Sequence, residues 1–409
     1  MRKIFSCCTN PGLFFSLLVW LVVTAVASAS AEESVAGDGE ALEPPTNDSA
    51  PPQRDSPWLL TPTFSVDPKL GRNLGAIAAY LHRFDEASPI SLSGATLSYS
   101  NTDSLVSAMF TDLYWGADHH RLTAGAAYGD INNEYDDFLG SGQTVETNDD
   151  LKSLFMRYRY RVVGDWFFGG QLVRTNYVIG IPAPEEVVNN QVGLMGFNAT
   201  GLGFVVERDG RNHVRNPTSG SHLVVDGTRY SSSDDQPDLD NGDLLEELLP
   251  EDSLIDSNGD FDVLRGNFNH YSSLGHWFTG DQAPETVLAV QAYTRLTHDA
   301  PVSGYSSVIV PGYTRGNYLG ENSVGGQFDL RMPISKRWAV VVFGGIGCLF
   351  GDGIGSNATS QSCIDELYPG IGAGVSWLVK PESGVVMRME AAKGSGDNSA
   401  VYLRFGHPF

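Results

Sequence analysis

The chain has 409 residues and a formal net charge of −23. This acidic balance argues against nucleic acid as a partner, because phosphate backbones are bound by basic surfaces. The 46 glycines, 16 tyrosines and 20 phenylalanines lie in stretches where apolar and polar residues alternate, which indicates strands and not helices.

The amino terminus has the layout of a secretory signal. Arg2 and Lys3 precede an apolar run over residues 13–26, and small residues follow the run. This layout predicts export, with residues 1–31 as the signal peptide. Residues 32–56 are rich in Glu, Pro, Ala, Asp and Ser, so they bury too little apolar surface to fold and are predicted to be a disordered periplasmic leader.

Residues 57–409 have a uniform composition without a linker, so they are predicted to form one domain. They contain no segment long and apolar enough for a transmembrane helix. About sixteen alternating segments can be counted in them, and short and long connections alternate between the segments, as periplasmic turns and surface loops do. The sequence therefore predicts an all-β fold, a transmembrane antiparallel β-barrel of about 16 strands in the bacterial outer membrane. The alternative is a soluble β-sandwich, which would bury its apolar face.

Three arginines indicate which face of the strands points inward. Arg157, Arg159 and Arg161 share one face of a strand, and apolar or aromatic residues share the other. An arginine that faces lipid at the middle of the bilayer costs about 2–4 kcal/mol, so the three are expected to form a basic ladder in the lumen.

One turn, DGRNHVRNPTSG, contains Asp209, Arg211, Pro217 and Gly220. These four residues match the pattern D-x-R-D-N followed by N-P-T-x-G, and the turn thereby resembles a motif of the BamA/TamA family, the bacterial surface-antigen barrels. Asn212 and His213 depart from the usual Asp-Asn. The resemblance covers essentially all of the predicted barrel, because two further motifs follow in the family's order.

The second motif is TRGNY, which is similar to the R-G-(Phe/Tyr) tip of a family loop and contains Arg315 and Gly316. The resemblance implies that this loop folds back into the barrel and that Arg315 locks it to inward carboxylates, for which Asp329 and Glu390 are the candidates. A planar guanidinium binds carboxylates through two hydrogen bonds. The family often has a carboxylate on the next strand where this chain has Gly345.

The closing segment VYLRFGHPF is similar to the family's F-G-x-x-F ending. Its alternation predicts that Val401, Leu403, Phe405 and Phe409 face lipid and that Arg404 faces the lumen. The resemblance implies that Phe405 and Phe409 form the C-terminal signal that insertion machinery reads.

The remaining cysteines and the acidic segment are predicted to have structural roles. Cys348 and Cys363 remain after removal of the signal, and a disulfide that closes a loop of about fifteen residues would contribute about 3 kcal/mol in an exported protein. The acidic segment from Ser231 to Asp262 is expected to be a solvated surface loop; a calcium loop is the alternative, although its glycine is displaced. No nucleophile–base order or metal-ligand spacing is evident, so the sequence predicts no enzyme, cofactor or metal site.

The resemblance implies a role in outer-membrane protein assembly, insertion or translocation. The mechanism would rest on the seam between the first strand (Trp58–Val66) and the last (Ala400–Phe409), where Pro62 and Pro408 each remove a ladder donor. Expected partners are outer-membrane lipid, lipopolysaccharide, client outer-membrane proteins and a separate periplasmic module, because assembly members of the family carry periplasmic domains where this chain has a short leader. The alternative is a passive channel or structural barrel, in which the arginine ladder would favour anionic solutes.

Overall fold

The computed structural model describes eleven stretches of the chain: residues 56–67, 71–135, 145–182, 191–233, 259–280, 284–301, 304–313, 318–351, 361–363, 366–396 and 398–409. The predicted signal peptide and all of the predicted leader except Ser56 lie outside these residues, as do Arg315, Gly316 and most of the acidic segment.

Sixteen antiparallel strands form one sheet, and each strand pairs with the next in sheet order. They are β1 (Trp58–Asp67), β2 (Gly71–His82), β3 (Ser91–Ser100), β4 (Leu105–Trp115), β5 (His120–Tyr135), β6 (Val145–Val163), β7 (Trp166–Pro182), β8 (Gln191–Asp209), β9 (Gly220–Ser233), β10 (Phe261–Ser273), β11 (Val287–His298), β14 (Asn322–Pro333), β15 (Trp338–Phe350), β16 (Tyr368–Lys380), β17 (Val385–Gly394) and β18 (Ser399–Phe405). Two short strands, β12 (Ser306–Ser307) and β13 (Leu319–Gly320), pair with each other in the connection between β11 and β14. The predicted all-β barrel of about sixteen strands is confirmed.

Strands β5 to β8 are longer than the sequence pattern predicts, with 16, 19, 17 and 19 residues. A strand of about 9–11 residues already crosses a bilayer. The pattern loses these extensions because polar residues such as Asn132 and Asn148 occupy them, while the ladder continues through the pair that these two asparagines form. The hairpins β5–β6 and β7–β8 therefore project beyond the membrane on the side of the long connections.

The outer face of the sheet is apolar and the inner face carries the charges. Large apolar side chains on the outer face are exposed, including Met109 (66%), Leu202 (65%) and Met389 (61%), whereas Asp329 and Arg388 on the inner face are fully buried. A soluble sandwich would show the reverse distribution, so that alternative is wrong. Hydrocarbon outside the barrel favours the exposed apolar side chains and forces ionised groups into the lumen.

No helix among the described residues is long and apolar enough to cross a membrane.

Aromatic rings line the end of the barrel that carries the tight turns. Trp115 stacks on His120 with 5.2 Å between ring centroids, and Trp338 stacks on Trp377 at 5.8 Å. Rings with one apolar and one polar side favour the headgroup level of a membrane, so this rim marks one of the two interfaces.

Met109→Arg should lower the free energy of unfolding by about 2–4 kcal/mol, because the charge would face hydrocarbon near the middle of the apolar band. Urea titration of the folded barrel in lipid vesicles, followed by tryptophan fluorescence, measures the change. Met109→Leu is the control and should unfold as the wild type does. Equal stability of the arginine variant and the leucine variant would contradict the assignment of this face to lipid.

Candidate functional site

The turn between β8 and β9 crosses the mouth of the barrel at the end with the tight turns. Its Pro217 carbonyl accepts a hydrogen bond of 3.1 Å from Arg331 Nη1 of β14, and His213 packs against Gly384 in the turn after β16. A cavity of about 440 Å³ lies under this crossing, lined by turn residues together with Arg83, Asp118, Arg121 and Glu382. The segment recognised as a family motif is thus a plug that contacts several walls of the barrel.

The two departures from the family motif organise this turn. The Asn212 side chain accepts hydrogen bonds from the backbone N–H groups of Thr218 (3.0 Å) and Ser219 (3.2 Å) and donates to Thr218 Oγ1 (2.7 Å). His213 Nδ1 accepts from the backbone N–H groups of Arg215 (3.2 Å) and Asn216 (3.1 Å), which requires an unprotonated Nδ1. Burial, reinforced by Arg215 and Arg211, lowers the pKa of His213 and favours this form.

Arg121 is the centre of a buried ion-pair cluster beneath the plug. Its guanidinium binds Asp118 (2.7 Å), Glu207 (2.9 Å) and Asp209 (2.6 Å), and Arg211 binds Asp209 at 2.7 Å. Asp209 and Arg211, which the sequence picked out only as a motif, therefore tie the base of the plug to the wall formed by β5 and β8.

The predicted basic ladder faces the lumen, but it is neutralised there. Arg157 binds Asp226 at 3.0 Å, Arg159 binds Glu207, and Arg161 binds Asp118. The ladder is therefore one side of a set of ion pairs and does not present a row of free positive charges to a solute. Sequence reasoning missed these carboxylates because they are distant along the chain from the arginines.

Glu207, Asp209 and His222 have potential ligand atoms within 4.8 Å of one another, a spacing that could hold a metal ion. Each carboxylate already binds guanidinium groups, and His222 Nε2 lies 3.2 Å from Glu207. Because arginine charges surround the trio, a further cation would be repelled, and we assign these residues to the ion-pair cluster.

A second cluster is centred on Arg388 of β17, which is fully buried. Its guanidinium reaches across the inner faces of β16 and β15 to Asp329 of β14 and also binds Glu390, each at 2.5 Å. Arg331 and Arg404 add ion pairs to Asp329 (3.4 Å) and Glu390 (3.3 Å). Asp329 and Glu390 were the predicted partners of Arg315; in the described part of the chain they bind these three arginines, while Arg315 and Gly316 lie outside it.

The loop between β11 and β14 packs on the inner wall of the barrel. Gln327 Nε2 donates to the Ile309 carbonyl at 2.6 Å, and Tyr313 Oη donates to the Pro369 carbonyl at 3.0 Å. At Gly370 of β16, a side chain would collide with the Pro311 carbonyl, so the glycine permits the close approach. The described parts of this loop therefore occupy the lumen on the side of the long connections.

Gly345 stands where the family often has a carboxylate, and the packing around it leaves no room for a side chain. A Cβ atom at this residue would lie 2.6 Å from the Gln327 side chain, which holds the loop through Ile309. The glutamine occupies the space that an aspartate would need.

The predicted cysteine pair lies at the end of β15 and in the connection that follows it. Cys348 and Cys363 are joined by a disulfide with 5.3 Å between Cα atoms. The bond joins the end of β15 to residue 363, close to the bridge between Gly351 and Gln361.

The carboxyl terminus does not follow the predicted alternation. Gly406 has a φ of +82°, so the strand ends at Phe405 and the tail turns inward. Phe405 is 3% exposed and joins a buried apolar cluster with Leu59 and Ala79, and the Phe409 carbonyl lies 3.5 Å from Arg331 Nη2. The predicted lipid-facing placement of Phe405 is wrong, whereas Val401 and Leu403 are exposed on the outer face as expected. For the side chain of Phe409 the lipid-facing placement stays a prediction.

His407 connects this tail to the plug. Its ring nitrogens lie 3.0 Å from Arg388 Nη1 and 2.9 Å from Asn216 Oδ1. The tail, the plug and the Arg388 cluster thus form one contiguous network at the mouth of the barrel. The sequence pattern placed His407 inside the last predicted strand (Ala400–Phe409) and gave it no role, whereas the strand ends at Phe405.

The first and last strands are neighbours without a shared ladder. The Lys380 ammonium contacts the carbonyls of Ser56 and Trp58, the latter at 3.0 Å, which brings the start of β1 beside the end of β16. In the part of the chain that the structure describes, paired registers join every consecutive pair of the sixteen strands, but none joins β1 to β18. Pro408 lies beyond the end of β18, so its predicted effect on the ladder is wrong; Pro62 lies within β1.

These features define a transmembrane β-barrel with a turn across one mouth, loop segments on its inner wall and a seam between β1 and β18. No family model and no curated protein matches the chain. CdiB from Escherichia coli has a similar structure, with 11% identity and a TM-score of 0.53 over 86% of this chain and 63% of that chain. For CdiB from Acinetobacter baumannii the values are 9%, 0.51, 85% and 59%.

A structure of BamA from Haemophilus ducreyi that lacks POTRA domains 1–3 also matches, with 13% identity, a TM-score of 0.49, and coverage of 86% of this chain and 70% of that chain. The chain spans less than two thirds of either CdiB. The fold is that of the CdiB barrels, and the barrel predicted from the sequence is confirmed at the level of the fold.

Arg388→Ala should lower the free energy of unfolding by about 3–5 kcal/mol, because it leaves Asp329 and Glu390 buried without the cation that they share. Urea unfolding in detergent measures the loss. The control is Arg229→Ala, which removes an exposed ion pair with Asp262 and should cost about 0–1 kcal/mol. Similar losses for the two variants would show that the Arg388 cluster does not hold the barrel together.

Stability should fall as the pH drops from 7 to 5. Burial, together with the charges of Arg331 and Arg388, lowers the pKa of His407 well below 6.5. The unfolded chain therefore binds a proton at this residue before the folded chain does, and the free energy of unfolding decreases below about pH 6.5 by up to about 1.4 kcal/mol per pH unit.

Unfolding midpoints measured across this pH range test the sign. His407→Gln should reduce the slope, and His119→Gln, at an exposed turn, should leave it unchanged. If the slope of His407→Gln equals that of the wild type, the histidine does not carry the effect.

Proposed function

We propose that the protein inserts or translocates other proteins at the bacterial outer membrane and that the seam between β1 and β18 is where a client strand engages. The observation that carries the proposal is the missing ladder between these two strands in the described residues, while all their neighbours are paired. An edge strand presents backbone N–H and C=O groups that can pair with another chain, so an openable seam is a template for a client strand.

The occupied lumen supports a route through the seam. The β8–β9 turn crosses one mouth and is bound to Arg331 and His407, and the β11–β14 loop packs against the inner wall through Gln327 and Tyr313. A client that cannot pass through the centre of the barrel has the seam as its remaining path. The proposed role is mechanical and uses no catalytic centre.

The contacts at the seam are of a kind that can be broken and re-formed. Apolar packing of Phe405 with Leu59 and the contacts of Lys380 with Ser56 and Trp58 hold the two edges near each other at the mouth. Such contacts cost less to break than a continuous row of backbone hydrogen bonds, because they leave no row of desolvated N–H groups behind.

A crosslinking experiment tests the seam. Leu60→Cys and Leu403→Cys, one on each edge strand and both facing outward, are joined by a short bismaleimide, and the protein is reconstituted in liposomes. The expected result is a loss of most of the protein's acceleration of folding of an added outer-membrane barrel, because a tied seam cannot admit a strand.

The matched control joins Leu60→Cys to Ala78→Cys, which are already partners in the β1–β2 ladder, and should retain the acceleration. If the seam crosslink has no effect, or if depletion of the protein from cells leaves all other outer-membrane barrels at normal levels, the insertion role is refuted. In planar bilayers the barrel should be closed; a large, stable, anion-selective current would favour the channel alternative.

A further inference from the structure

The outer face of β6, β7 and β8 changes from apolar to polar at one level. Leu154 of β6 and Leu202 of β8 face outward and are 45% and 65% exposed. The next outward positions towards the long connections are Lys152 of β6 and Arg174 of β7, both exposed, and Asn176 follows on β7. This step from leucines to basic and then amide side chains marks the edge of the hydrocarbon region.

The distance of Arg174 from the aromatic rim also places it at the edge of the hydrocarbon region. It lies eight residues along β7 from Trp166, at the rim with the aromatic rings. With a rise of about 3.3 Å per residue and a strand tilt of about 40°, it is about 20 Å from that rim, near the far boundary of an apolar band about 25 Å tall. Long basic side chains at such a boundary can extend their charges to headgroup level.

Two basic side chains lie together at this level. Leu154 and Arg174 are opposite each other in the β6–β7 register, and Lys152 is two positions from Leu154. Strand spacing then places the Cα atoms of Lys152 and Arg174 about 8 Å apart. Side chains of this length can converge on one group the size of a phosphate.

Among the described residues, Lys152 and Arg174 form no ion pair. Two outward carboxylates lie beside them, Asp150 on β6 and its register partner Asp130 on β5, and neither forms an ion pair with Lys152 or Arg174 in the described part of the chain. Positive charge at a membrane boundary without protein partners indicates an anionic headgroup as the missing partner.

We propose that Lys152 and Arg174 bind a phosphate group of the outer-leaflet glycolipid, lipopolysaccharide. The inference rests on the outer-membrane placement in the proposed function. A guanidinium binds phosphate through two parallel hydrogen bonds, and the ammonium of Lys152 adds a point charge. Binding here fixes the depth of the wall from which the β5–β6 and β7–β8 hairpins project.

The test measures binding of lipopolysaccharide to the purified, folded chain in detergent by fluorescence titration. The double variant Lys152→Gln with Arg174→Gln should bind about thirtyfold more weakly, since two basic side chains are lost at an anionic headgroup. Arg208→Gln, an outward arginine at the opposite rim, is the matched control and should bind as the wild type does. Dephosphorylated lipopolysaccharide should bind the wild type as weakly as the intact lipid binds the double variant.

Three results would overturn the proposal: unchanged affinity in the double variant, equal affinity of the wild type for dephosphorylated lipid, or equal affinity for phosphatidylglycerol, which would indicate any anionic headgroup. Unfolding temperature reports whether the double variant is folded, and Lys152→Arg with Arg174→Lys keeps the charges and should keep the affinity. Client folding in liposomes without lipopolysaccharide should be normal in the double variant, which separates this proposal from the proposed function.

Discussion

The burial of Arg388 between Asp329 and Glu390 is the interaction on which the lumen depends. These three ionised groups are almost completely removed from solvent, and an isolated charge in such a place costs several kcal/mol. Hydrocarbon outside the barrel leaves the lumen as the only place for them, and mutual pairing makes that place tolerable. The second cluster, around Arg121, solves the same problem on the opposite wall.

The two clusters explain how a turn and a tail become part of the barrel interior. Arg331, held beside Asp329, offers its guanidinium to the Pro217 carbonyl of the plug, and Asp209 at the base of the plug is held by Arg121. His407 then connects Arg388 to Asn216. Through these hydrogen bonds the plug and the tail become parts of one assembly with the Arg388 cluster.

The packing of the lumen and the missing backbone ladder between β1 and β18 are related. The glycine at residue 370 and the small inner face of β16 let the described parts of the β11–β14 loop lie against the wall, where they occupy part of the space that a barrel of this size encloses. The strength of the barrel then resides in the fifteen ladders and the ion pairs, so the β1–β18 edge can be weak without loss of the fold.

The sequence by itself determined the strand count, the lipid-facing side and the inward direction of Arg157, Arg159 and Arg161, because alternation has a period of two and charge cannot face hydrocarbon. It also located the plug through Asp209 and Arg211, although only as a motif. Only the tertiary structure decided that Glu207, Asp226 and Asp118 neutralise the arginines, that polar extensions of β5–β8 remain paired, and that Phe405 is buried beside Leu59. These outcomes depend on contacts between residues far apart in the chain and on one positive φ at Gly406, which local periodicity does not encode.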